Sequence, residues 1–106
     1  MAKYLIEGNY VGEGLKGLLK EGGSSRREAV EKLAGSVGGS VEAFYYAFGE
    51  TDIFAIADIP DNITAAALSL TINASGSATC RVTVLLTAEE VDAASKKTSN
   101  YRPPGQ

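Results

Sequence analysis

Two aromatic and β-branched runs, Ser40 to Phe48 and Asp52 to Ile59, are separated only by Gly49-Glu50-Thr51. So short a connection joins neighbouring strands as an antiparallel hairpin, because a parallel pair needs a crossover of a dozen residues or more. Pro60 has no amide to donate to a ladder and ends the second run. A tight hairpin in the middle of 106 residues argues against a doubly wound parallel fold, and a chain of this length buries one core.

The flanks complete the pattern. Lys3 to Val11 alternates and reads as a first strand that ends at Gly12 and Gly14. Leu15, Leu18 and Leu19 form a short helical stripe, interrupted at Gly22-Gly23. Ser25-Arg26-Arg27-Glu28 then has capping-box spacing, and Val30, Leu33, Ala34 and Val37 recur on one helix face as far as Gly38-Gly39. Asp61 is placed to cap a helix over Asn62 to Ala74, which Gly76 stops. Ser77 to Leu86 is a fourth strand, and Thr87-Ala88-Glu89-Glu90 is a second capping box that opens a short last helix. The order β-α-β-β-α-β predicts an α+β, ferredoxin-like domain: a four-stranded antiparallel sheet with helices on one face, plus a C-terminal helix. Residues 1–97 form this domain and 98–106 a proline-containing tail, in which Tyr101 could anchor an arm on a neighbour.

Composition removes much chemistry. There is no histidine and one cysteine, Cys80, so no His-ligated zinc or haem, no Ser-His-Asp or Cys-His unit and no intrachain disulfide can be built. The formal charge is −3, from 13 acidic and 10 scattered basic residues, which leaves no basic stripe for nucleic acid. Glu7 follows Leu5-Ile6 too early for a signal-peptide core, and no apolar run approaches the ~18 residues of a membrane span. A cytoplasmic protein without a membrane partner is the expectation.

Strict alternation turns Ile6, Val41, Ala43, Ile53, Ala55, Cys80, Val82 and Val84 toward the helices. The opposite face then carries Leu5, Glu7, Asn9, Phe44, Tyr46, Phe48, Phe54, Ile56, Arg81 and Thr83. Three phenylalanines and a tyrosine there are too apolar to leave wet without cost, so the face is expected to meet a second copy in a dimeric α+β barrel. The alanine-rich helix over Asn62 to Ala74 is apolar beyond a single stripe and offers a further contact between subunits.

The stretch Val41-Glu42-Ala43-Phe44-Tyr45-Tyr46-Ala47-Phe48-Gly49-Glu50-Thr51-Asp52, followed by Ala57-Asp58-Ile59-Pro60-Asp61, resembles the GYD family of small prokaryotic proteins. Gly14-Leu15-Lys16 and Thr87-Ala88-Glu89-Glu90 also resemble it, so the likeness spans the domain and omits the tail. Gly49 and Asp52 fit the motif that names the family, while Thr51 stands where its tyrosine is usual. The resemblance implies a ferredoxin-like, oligomeric protein and carries no established activity.

Candidate chemistry is sparse. Gly12-Glu13-Gly14-Leu15-Lys16-Gly17 spells G-x-G-x-x-G, but without parallel βαβ repeats it reads as a permissive turn, and no cofactor is expected. Glu50 and Asp52 sit in a turn, where Asp52 is better suited to holding backbone amides than to acid–base work. Glu7, Asn9, Phe44, Tyr46, Phe54, Arg81 and Thr83 are the candidate ligand-binding set, for a small apolar or aromatic molecule between sheet faces. Within it, Glu7 as base, Tyr46 as donor and Arg81 as anion partner would make a cofactor-independent oxygenase or isomerase. The competing reading pairs Glu7 with Arg81 across strands in a non-catalytic interface. Cys80 is expected to pack as a small apolar group, and Glu89, Glu90 and Asp92 to favour a helix N-terminus, with no metal.

Overall fold

The computed structural model describes Met1–Gln106. In chain order the elements are β1 (Ala2–Tyr10), α1 (Glu13–Glu21), α2 (Gly23–Ser36), β2 (Ser40–Tyr46), β3 (Ile53–Ile59), α3 (Asn62–Ala74), β4 (Ala78–Leu85) and α4 (Ala88–Ser95). The sheet runs β2-β3-β1-β4 with every neighbouring pair antiparallel, so the hairpin inserts β3 beside β1, as the ferredoxin-like order requires.

Helix boundaries follow local chemistry. The Asp61 carboxylate accepts the Thr64 amide at 2.7 Å and starts α3, a bond that holds its pKa below the usual aspartate value. Because the folded-state pKa is the lower one, the stabilisation is complete above the unfolded value of about 3.9 and is lost as pH falls through the folded value. Asp61→Ala should lower Tm by about 4–8 °C at pH 7, and by progressively less as the pH of a series of melts drops below about 4. Thr87 and Glu90 exchange both capping-box bonds, at 3.1 and 2.9 Å, to start α4.

The Ser25–Glu28 box does not form. Gly22, at φ 87°, bends the chain between α1 and α2, its amide closing α1 on the Leu18 carbonyl and its carbonyl opening α2 by accepting the Arg26 amide. Helix α2 therefore begins at Gly23, and Ser25 already lies inside its first turn rather than at the cap.

Two helices flank the inner sheet face: α2 lies over the edge strand β2 and α3 chiefly over the other edge strand, β4. Tyr4, Ala57, Ile59 and Ala65 make the tightest part of the core, where the Tyr4 hydroxyl donates to Asn62 Oδ1 at 2.6 Å. Ile63 and Leu70, one face of α3, stay exposed.

Helix α4 packs closely on none of the other elements, and every residue from Leu86 onward is exposed. The molecule is accordingly long, at 58 × 32 × 23 Å, with a radius of gyration of 16.9 Å. A chain of this length folded into a sphere-like body would have a radius of gyration of about 13 Å.

Alternation fails at one point. Val41 pairs with Ala57 and Ala43 with Ile56, so Glu42 is an extra residue, a β-bulge. Beyond it the strand's faces exchange: Phe44 and Tyr46 turn toward the helices, and Ala43 and Tyr45 turn outward. This corrects the expectation that Phe44 and Tyr46 belong with Glu7 and Arg81, and that Ala43 faces the core.

Candidate functional site

The outer sheet face is built in rows across the strands. Ser40, Asp58, Lys3 and Leu85 form the first, Ala43, Ile56, Leu5 and Thr83 the second, and Tyr45, Phe54, Glu7 and Arg81 the third. Asn9 and Thr79 continue the face beyond the third row. Charges flank an apolar centre. At one end Lys3 Nζ lies 2.8 Å from Glu42 and 3.0 Å from Asp58, and these bonds raise the lysine's pKa. At the other end Arg81 Nη2 lies 3.8 Å from Glu7 Oε1 and donates to Thr51 Oγ1 at 3.1 Å. Leu5 and Ile56 lie between them, and Phe54 and Tyr45 extend the Glu7–Arg81 row across β3 and β2, with Tyr45 71% exposed.

Of the candidate set, Glu7, Asn9, Phe54, Arg81 and Thr83 thus share one face. Its polar groups are largely engaged with one another, since Asn9 Oδ1 also accepts the Asp52 amide at 3.0 Å. Phe44 and Tyr46 lie on the far side, their rings in an edge-to-face pair with centroids 5.2 Å apart. The Tyr46 hydroxyl donates to the Gly23 carbonyl at 2.8 Å. Burial, with the adjacent Tyr10 next in effect, holds its pKa above the usual tyrosine value, so it stays protonated and acts as a donor. The acid–base trio Glu7, Tyr46 and Arg81 is not assembled within one protomer.

The hairpin loop is a structural joint. The Asp52 carboxylate accepts the Tyr10 amide at 3.0 Å, the Asp52 amide donates to the Gly8 carbonyl at 3.0 Å, and the Asp52 carbonyl accepts the Ala47 amide at 2.8 Å. Thr51 is 6% exposed and presents its hydroxyl to Arg81, while Gly49 and Glu50 are exposed. The segment that ties the hairpin to β1 is therefore the one that carries the family motif. The family model for the GYD domain matches residues 4–95.

The chain belongs to the GYD family. The match ends at the last residue of α4 and leaves the tail outside. Searches of curated proteins and of solved structures returned no match. In this GYD protein one of the glycines spelled as a nucleotide motif has a steric role: a Cβ at Gly14 would lie 1.8 Å from the Ser77 carbonyl oxygen. Cys80 is a free, partly buried thiol on the inner face, with Sγ 3.7 Å from Ser69 Oγ. No three acidic or cysteine side chains converge as a metal site. No helix is long and apolar enough to cross a membrane.

An apolar hollow lies on the inner side of the sheet, opposite Glu7, Asn9, Phe54, Arg81 and Thr83. A cavity of about 160 Å³ sits between α2, α3 and the inner sheet face. Its signal in the sequence was a floor of small residues, Gly8, Ala55 and Ala78, at positions where a strand core ordinarily places larger ones.

Proposed function

We propose that this GYD-family protein is a non-catalytic homo-oligomer whose outer sheet face pairs with the same face of a second copy. One observation carries the reading: Leu5, Ile56, Phe54 and Tyr45 form a continuous apolar patch beside two ion-pair clusters, with Phe54 and Tyr45 exposed in the protomer. A twofold axis through that patch would lay the two sheets face to face in an α+β barrel and remove the exposed aromatics from water. Thr51, Arg81 and Glu7 form a hydrogen-bonded and ionic chain at its rim, which suits registering an interface better than turning over a substrate. A small apolar or aromatic molecule held between the sheets would meet Glu7, Asn9, Phe54, Arg81 and Thr83, and neither Phe44 nor Tyr46.

Phe54→Lys tests the pairing. Phe54 stands opposite Glu7 in the β1–β3 register, so a lysine there gains a nearby carboxylate in the free protomer yet places charge inside a paired face. Native mass spectrometry should show an even-numbered assembly for the parent and a monomer for the variant, with matching far-UV circular dichroism. A monomeric parent protein at tens of micromolar overturns the proposal.

A further inference from the structure

The hollow beneath the helices has no part in that pairing. Helices α2 and α3 sit over opposite edges of the sheet, so the central strands β1 and β3 run under the gap between them. The gap is floored by small residues. In the inner row Tyr46–Ile53–Gly8–Cys80 one central position has no side chain, and in the row Phe44–Ala55–Ile6–Val82 another has a single methyl.

Gly8 is not glycine for backbone reasons. Its φ lies outside the left-handed region, and an added Cβ would meet only the Thr79 carbonyl oxygen at 3.5 Å and Ile53 Cβ at 3.8 Å, both ordinary contacts. The missing side chain is therefore spare volume. The cavity of about 160 Å³ is lined by 24 residues, 19 of them hydrophobic. An apolar cavity of about 150 Å³ stays dry and accepts benzene, which sets the size of an occupant at one six-membered ring with small substituents.

One polar atom at the cavity wall lacks a partner. Tyr10 lines the hollow, and its buried hydroxyl, beside that of Tyr46, makes no hydrogen bond of good geometry. An unpaired buried hydroxyl costs free energy that a ligand's hydrogen-bonding group recovers. Arg26, at the α2 wall, has its guanidinium 3.5 Å from Glu21, so it offers no unpaired charge to an ionised ligand. We propose that the cleft between α2 and α3 binds a neutral, single-ring apolar molecule with one hydrogen-bonding group, which engages the Tyr10 hydroxyl.

The test is a methyl-detected NMR titration of the full chain with p-cresol and with toluene, which differ by one hydroxyl. Both should saturate at one site per chain and shift the methyls of Ile53, Leu68 and Val82, p-cresol binding about three- to tenfold more tightly. Tyr10→Phe should leave toluene affinity unchanged and abolish the preference. Gly8→Val, which fills the floor, should abolish binding of both while preserving the fold. If that variant does not fold, Gly8→Ala serves with a graded loss of affinity. Absence of saturable binding up to the solubility of both probes overturns the proposal, as does a preference that survives in Tyr10→Phe. Shifts confined to Leu5 and Ile56 place the occupant on the other face and also overturn it.

Discussion

Gly14→Ala should lower stability by about 3–4 kcal/mol, enough to move Tm by more than about 10 °C. The added Cβ would lie 1.8 Å from the Ser77 carbonyl oxygen and 2.8 Å from its carbon, and both are backbone atoms that no rotamer change can move aside. That oxygen accepts the Val11 amide at 3.0 Å, so relieving the clash breaks the bond joining the end of β1 to the approach to β4. Gly17→Ala is the matched control in the same helix. Its Cβ would meet nothing within 4 Å, and alanine in a helix interior should raise stability by about 0.5–1 kcal/mol. Thermal melts at one fixed protein concentration, so that assembly contributes equally, measure both. Equal effects of the two substitutions would refute the steric account of this glycine pair.

Asp52→Ala should cost about 2–3 kcal/mol, because it removes a charged acceptor from the partly buried amide of Tyr10. Asp52→Asn keeps an acceptor oxygen and loses the charge, so about 1 kcal/mol is expected. Glu50 is exposed in the same loop, and Glu50→Ala should lie within about 0.5 kcal/mol of the parent. Urea titrations of the three variants give the comparison. A large effect at Glu50, or none at Asp52, would show that the motif's carboxylates do not divide between latch and solvent in this way.

What could be read from residues alone was whatever short-range chemistry decides. Asp61 and Thr87 cap their helices because each side chain reaches an amide three residues on, whatever the rest of the chain does. Glu7 faces Arg81 because alternation holds through β1 and β4. The same logic failed at Val41-Glu42-Ala43-Phe44, where a bulge inserts one residue and the apolar Ala43 suits either face. The candidate site was accordingly half legible: Glu7, Asn9, Phe54, Arg81 and Thr83 share the expected face, and the bulge removes Phe44 and Tyr46. Ser25 had the spacing of a cap but lost the role to Gly22, whose left-handed backbone bends the chain earlier. Of the hollow under α2 and α3 only the floor of small residues shows in the sequence, and its width does not, for another reason. It depends on how far apart two helices sit, and no single segment encodes that distance.

Helix α4 holds its shape at a distance from the core. Eight residues closed by a capping box fall short of the roughly 12–15 that an isolated helix needs to persist in water. Its order rests on the two capping-box bonds between Thr87 and Glu90 more than on packing, so it is marginal by itself. The C-terminal helix is therefore the part of the chain that opens at the least cost, a hinged end rather than a wall of the domain.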